Sequence, residues 1–215
     1  MGKGHIVAMG GGGFSEEGGR SLLDDFLLEL AGTARPRVCF VGTASGDADG
    51  YGLKFFEAFS RRDCVASRLL LFNRGGTPVA ELLAEQDVIY VGGGSTANML
   101  AVWRLHGVDV LLRQAWDRGA VLGGLSAGAI CWFEAGVTDS FGADDLRPLT
   151  GCLELLPGSF CPHYDSEPRR APTFRRLVAA RRLPPGYGVD DGAAVHFAGT
   201  ERVEVVSSRP SARAY

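Results

Sequence analysis

A serine set among small residues is the feature of this 215-residue chain whose surroundings point most directly to chemistry. Residues 120–134, AVLGGLSAGAICWFE, begin as an apolar run, turn through glycines around Ser126 and continue as a second apolar run. A strand, a sharp turn and a helix in this order form a nucleophile elbow, which exposes the serine hydroxyl at its apex. Gly124 and Gly128 flank the serine where a β-carbon would collide with neighbouring backbone. The stretch predicts Ser126 as a nucleophile; the alternative is a glycine-rich turn with an incidental serine.

A serine hydroxyl is a weak nucleophile unless a base accepts its proton and a third group orients that base. The chain has four histidines. His5 begins a predicted strand, whereas the serine follows the end of one. His106 precedes a glycine at a predicted helix end, and His196 lies inside a predicted terminal strand. His163 remains, in a loop that follows a proline. We therefore predict His163 as the base, the alternative being an ordinary surface histidine.

The residues alone leave the orienting acid open. Asp139 lies between Ser126 and His163 in a turn-forming Thr-Asp-Ser, which also suits a plain Asx-turn. Asp190 and Asp191 follow a predicted strand and precede a glycine, which also suits a hairpin turn. Each of these aspartates is a candidate.

The elements that must position these residues repeat the order strand, glycine turn, helix. Continuous apolar runs predict strands at 5–9, 37–42, 65–72, 87–91 and 120–122, and helical spacing predicts helices at 15–30, 53–62, 78–85, 97–105, 108–118 and 168–183. This order predicts an α/β fold, a three-layer doubly wound and mostly parallel sheet. Residues 187–206 predict a C-terminal β-hairpin, and the residues from 207 onward are expected to be a tail. The length suits a single domain over residues 1–215.

Ligands of such sheets bind beyond the carboxyl ends of the strands. The glycine turns at 10–13, 42–45 and 92–96 are expected to share one rim with Ser126. Because the strand before Gly93 should neighbour the elbow strand, we predict an oxyanion hole from the N–H of Ala127 and one from Gly93 or Gly94.

Several function classes are disfavoured by composition and motif. No GxGxxG has the spacing of a dinucleotide site and GxxxxGK[ST] is absent, so no cofactor is expected. A net charge of −3 argues against nucleic acid. No apolar run approaches the roughly 20 residues of a membrane span. Five cysteines without a CxxC spacing predict free thiols and a cytoplasmic protein, and no metal site is expected.

The motifs GGLSAGA, TDS, PHYDSE and GVDDGAA, with VGGGST upstream, resemble the peptidase E and cyanophycinase family of serine hydrolases. The resemblance runs from about residue 5 to 206. It implies a flavodoxin-like sheet similar to that of class I glutamine amidotransferases, with serine in place of their cysteine. It also implies Ser126 as nucleophile and His163 as base, with Asp139 slightly preferred as the acid and Asp191 as the alternative.

The resemblance further implies a substrate. Peptidase E cleaves dipeptides with an N-terminal aspartate, and an arginine after the catalytic histidine holds that carboxylate; Arg169 and Arg170 fall in that stretch, which is otherwise a solvated helix face. The expected function is thus a metal-independent serine peptidase of short peptides, with a homodimer implied by the family. The alternatives are a cyanophycinase-like or β-aspartyl hydrolase and a non-catalytic small-molecule-binding protein. An α/β-hydrolase esterase is disfavoured because no HGGG-type segment appears.

Overall fold

The computed structural model describes residues 4–18, 20–73, 75–142 and 145–215. Its strands are β1 (His5–Met9), β2 (Arg37–Val41), β3 (Val65–Leu69), β4 (Val88–Val91), β5 (Val121–Leu125), β6 (Ala135–Thr138), β7 (Arg147–Thr150), β8 (Ser159–Cys161), β9 (Gly186–Gly188), β10 (Ala193–Ala198) and β11 (Glu201–Ser207). Within the same ranges the helices are α1 (Leu22–Leu30), α2 (Asp49–Phe59), α3 (Val79–Ala84), α4 (Thr96–His106), α5 (Val108–Asp117), α6 (Ala127–Ile130) and α7 (Arg170–Ala179).

A seven-stranded sheet in the order β11-β10-β1-β5-β4-β2-β3 forms the middle layer. Strands β1 to β5 pair in parallel, while β10 and β11 form the antiparallel C-terminal hairpin. Alternate side chains of each strand enter different cores: Ile6 and Ala8 pack toward α3 to α6, and Val7 and Met9 pack toward α1 and α2. Both faces are therefore covered, which confirms the predicted three-layer α/β fold.

A second sheet, in the order β7-β6-β8-β9, extends the carboxyl-end side of the molecule and was not predicted from the sequence. Its strands β6, β8 and β9 run parallel to one another. They are three to four residues long, too short to give a clear hydrophobic period. The loops that follow these three strands carry Asp139, His163 and Asp191.

Two predicted boundaries are wrong for local reasons. Helix α1 begins at Leu22 because the Ser21 hydroxyl caps it, accepting the Leu23 N–H at 3.2 Å, whereas residues around Ser15 form a 3-10 turn. The C-terminal residues are not a tail. Tyr215 and Gly188 exchange backbone hydrogen bonds of 2.8 and 3.1 Å, so the end of the chain is held against the strand β9.

In the described part of the chain, every helix is too short or too polar to cross a bilayer.

Candidate active site

Ser126 lies at the end of β5, on a turn whose backbone is strained. Its φ is 52° and its ψ −114°, a conformation that L-residues rarely adopt and that clusters at functional sites. A β-carbon on Gly128 would lie 2.3 Å from the Val91 carbonyl oxygen, and one on Gly124 would lie 2.2 Å from that of Gly128. The glycines on either side of the serine are therefore required by contact with strand β4 and helix α6, as the sequence predicted.

His163 comes two residues after β8 and also has a positive φ, 51°. Its backbone N–H donates to the Gly10 carbonyl at 3.2 Å, which fixes the loop against the glycine turn after β1. Its Nε2 lies 2.9 Å from Ser126 Oγ, and the imidazole is only 15% exposed. The structure thus brings the predicted nucleophile and the predicted base into hydrogen-bond contact.

Asp191 is the carboxylate beside the imidazole. Its Oδ1 lies 2.7 Å from His163 Nδ1. The turn that carries it crosses the rim next to β1, where the Gly192 N–H donates to the Gly11 carbonyl at 3.0 Å. The neighbouring Asp190 accepts instead from the backbone N–H of Arg213 at 3.0 Å.

This geometry does not support the slight preference for Asp139 as the acid. Asp139 follows β6 and faces α7, where its Oδ2 lies 3.4 Å from Nη2 of Arg170. Strand β6 pairs with β8, and the loop that carries His163 follows β8. Asp139, directly after β6, therefore reaches helix α7 and not the imidazole. Which aspartate meets His163 is set by this pairing between distant segments.

Burial and the Asp191 carboxylate shift the pKa of the His163 imidazole in opposite directions. Burial lowers the pKa of His163, while the hydrogen bond and charge of Asp191 raise it, and the net pKa is above its ordinary 6.5. For Asp191, burial raises the pKa, but hydrogen bonds with His163 and Ser166 bring the pKa of this carboxyl below its usual range. The imidazolium that forms when the base takes a proton is therefore stabilised by an ionised partner.

Two of the predicted oxyanion residues, Ala127 and Gly93, lie next to the serine. Ala127 begins α6, and the first N–H groups of a helix have no acceptor within it. A β-carbon on Gly93 would lie 3.5 Å from Ser126 Cβ, so this glycine is adjacent to the nucleophile, although its N–H donates to Tyr51 Oη at 3.2 Å. Gly94 has a φ of 133° and lies close against the Ala44 carbonyl. The glycine turns therefore share one rim with Ser126, as expected.

Arg170, predicted as a substrate-binding residue, is buried and paired inside the protein, so this geometry does not favour its binding a substrate carboxylate. Its side chain is 2% exposed. Nε donates to Glu167 at 2.7 Å, Nη1 donates to the Val137 carbonyl at 3.0 Å, and Nη2 faces Asp139. Burial forces this arginine to pair internally. Arg169, which precedes α7, is exposed.

Sequence reasoning missed three groups that contact the acid. The Asp165 carboxylate accepts a hydrogen bond from the backbone N–H of Asp191 at 2.9 Å. The Asp191 carboxylate hydrogen-bonds Ser166, and the Asp191 carbonyl accepts from Arg209. Asp165 and Ser166 stand in the PHYDSE segment and could have been suspected from their closeness to His163. Arg209 lies beyond the last strand, with no local signal.

The residues that the structure describes contain no cluster of three or more His, Cys, Asp or Glu side chains arranged to hold a metal ion.

Comparisons with known proteins identify the family of this chain. The model of peptidase family S51 matches residues 6–205. The chain is 49% identical over 212 residues to the uncharacterized peptidase YgaJ of Bacillus subtilis (strain 168), covering 98% of this chain and 90% of the relative. It is 25% identical over 186 residues to peptidase E of Pasteurella multocida (strain Pm70), covering 83% and 77%. A crystal structure of a peptidase from an acI-B1 Actinobacterium superposes with a TM-score of 0.70 at 18% identity, covering 99% and 93%, and supports the fold. The chain belongs to peptidase family S51 and is a serine-type peptidase.

Proposed function

We propose that this peptidase hydrolyses short peptides through a Ser126–His163–Asp191 triad and an acyl-enzyme intermediate. The observation that carries the proposal is the continuous chain of two contacts, 2.9 Å from Ser126 Oγ to His163 Nε2 and 2.7 Å from Nδ1 to Asp191 Oδ1. A nucleophile, a base and an orienting acid joined in this way are the requirement for serine acyl transfer.

In the proposed reaction, Ser126 Oγ attacks the carbonyl carbon of the scissile peptide while His163 Nε2 takes the hydroxyl proton. Asp191 holds Nδ1–H, so that Nε2 is the free acceptor before attack and the imidazolium is stabilised after it. The N–H of Ala127, with that of Gly93 or Gly94, binds the oxyanion. His163 then gives its proton to the leaving amine. In the second half, water attacks the ester, His163 takes the water's proton, and return of that proton to Oγ releases the acid.

The proposed substrates are dipeptides with an N-terminal aspartate. This part rests on the sequence resemblance and on a relative named peptidase E. Of the two arginines that the resemblance implies, Arg169 is exposed and Arg170 is buried, so Arg169 is the proposed ligand of the substrate carboxylate. Its replacement by alanine should raise KM for Asp-X dipeptides and leave the rate on other dipeptides unchanged. Cyanophycinase-like or β-aspartyl hydrolysis, and ligand binding without catalysis, remain the alternatives to this proposal.

The test is hydrolysis of a panel of Asp-X, other X-X and β-aspartyl dipeptides by wild type and by Ser126→Ala. Ser45→Ala is a matched control on the same rim, because Ser45 Oγ donates to a carbonyl of its own turn, that of Gly42, at 2.9 Å. The proposal expects Asp-X turnover that is lost in Ser126→Ala and kept in Ser45→Ala. Turnover confined to β-aspartyl substrates would select the isopeptide alternative. Equal rates in wild type and Ser126→Ala would contradict a nucleophilic Ser126.

A further inference from the structure

We infer that Arg209, in the C-terminal segment of residues 208–215, and Asp165 are positioning residues that hold Asp191 at the imidazole. The inference rests on the triad proposed above. It assigns a role to a segment that the sequence presents as a tail.

Arg209 and Asp165 bind both backbone groups of Asp191. Arg209 Nε donates to the Asp191 carbonyl at 3.0 Å, and its Nη2 donates to the same oxygen. Nη2 also pairs with Asp165 Oδ2 at 2.9 Å. The other oxygen of Asp165 accepts the Asp191 N–H at 2.9 Å. These contacts form a closed ring around one residue, and we call this ring the clamp.

The clamp lies where a small displacement would matter most. An aspartate side chain has only two rotatable bonds, so its carboxylate follows its backbone closely. The next residue, Gly192, turns with a φ of 75°, and a shift of about 1 Å there would stretch the 2.7 Å contact with His163 beyond hydrogen-bond range. Asp165 also belongs to the loop of His163, so the clamp joins the base and the acid to one ion pair.

The rest of the segment runs beside the same turn. The Ser208 N–H donates to the Gly192 carbonyl at 2.8 Å, and the Asp190 N–H donates to the Arg213 carbonyl at 3.0 Å. The Arg213 N–H donates in return to the Asp190 carboxylate at 3.0 Å. The segment thus covers residues 188–192 along its length. Arg209 is the member whose side chain reaches the catalytic acid.

A merely structural ion pair is the competing explanation. The Arg209 and Asp165 side chains are 46% and 37% exposed, and pairs that exposed add little to stability. Removing one partner should therefore leave the fold intact and separate a positioning role from a stabilising one.

The experiment compares Arg209→Ala and Asp165→Asn with wild type. kcat/KM is measured against pH on the dipeptide of the panel that is turned over fastest, with thermal unfolding alongside. Arg213→Ala is the matched control: it removes the same charge from the same segment, while Arg213 contacts Asp190 through backbone groups. Ser126→Ala is the inactive control, which gives the rate without the proposed triad.

We expect both clamp variants to lose about 10- to 100-fold in kcat/KM with little change in Tm. Their acid limb should move to lower pH, because a weaker Asp191 contact raises the pKa of His163 less. The double variant should be no worse than the poorer single one, since either change opens the ring. Arg213→Ala should match wild type.

The clamp would be refuted if Arg209→Ala kept the wild-type kcat/KM and the wild-type acid limb. If Ser126→Ala were inactive in the same experiment, the proposed triad would be unaffected. A loss that follows only the folded fraction, at an unmoved acid limb, would overturn the clamp equally. If Arg209→Ala does not fold, Asp165→Asn carries the same two readouts. Undiminished hydrolysis by Ser126→Ala would instead refute the proposed triad, so the two failures are distinguishable.

Discussion

Exchanging the two aspartates for asparagine, one at a time, separates the geometry found here from the alternative that the sequence preferred. Asp191→Asn keeps the size of the side chain but removes the charge that faces His163 Nδ1 at 2.7 Å. The amide then offers either a neutral acceptor or an N–H, and the N–H would turn the imidazole to the wrong tautomer. Asp139→Asn removes a charge that faces Arg170 instead.

The size of the effect follows from what each carboxylate contacts. Loss of the orienting charge in a serine triad costs about 10³- to 10⁴-fold in kcat, or about 4 to 5.5 kcal/mol of barrier. Asp139→Asn leaves Arg170 with Glu167 and the Val137 carbonyl, so we expect at most about a threefold change in kcat/KM.

The assay is kcat and KM for both variants on the same dipeptide, with circular dichroism and thermal unfolding to confirm folding. The expected pattern is a collapse of kcat in Asp191→Asn alone. A collapse in Asp139→Asn, with Asp191→Asn near wild type, would refute the assignment of the acid and imply that the loops after β6 and β9 rearrange when substrate binds.

Four further outcomes are expected. Burial lowers the pKa of His163 but Asp191 more than restores it, so the acid limb of kcat/KM should lie above pH 6.5, and a limb below that value would contradict the strong contact. The same shift means that His163 stabilises the fold below pH 6.5 and that this contribution is lost as pH rises through the folded-state pKa; urea titrations of wild type and His163→Gln at several pH values should show it. Gly128→Ala should cost about 1–3 kcal/mol, lowering Tm by roughly 2–12 °C, because its β-carbon meets the Val91 carbonyl. Gly50→Ala, in open space on α2, should be neutral or stabilising, and equal Tm values for the two would count against the elbow packing. Glu16→Gln removes a negative charge that acts on His163 and should move the acid limb down, whereas Glu57→Gln on the neighbouring α2 should not; identical limbs would show that Glu16 does not act on the base.

The candidate nucleophile could be predicted because its signal is local. The elbow is recognisable in five consecutive residues around Ser126, where glycines avoid contacts with helix α6 and with the neighbouring strand β4. His163 followed by elimination among four histidines. The parallel sheet was predictable for the same reason, since each apolar run is long enough to show that both its faces are buried.

The acid and the clamp were not predictable because they depend on pairing between distant segments. Asp139 and Asp191 both follow short strands of the second sheet, and only the order β6-β8-β9 decides which one reaches the imidazole. Arg209 contacts Asp191 because the chain turns back beside β9 after the hairpin. The residues around Arg209 carry no pattern that predicts this turn. The burial of Arg170 is equally invisible from its arginine-rich neighbourhood.

The most direct test of the central claim is the site of covalent modification by a fluorophosphonate, located by peptide mass spectrometry. The triad predicts one phosphonylated peptide, the one that contains Ser126, with labelling abolished in Ser126→Ala and strongly slowed in His163→Gln. Labelling at another residue, or labelling of Ser126 at the same rate without His163, would contradict an activated serine at this elbow.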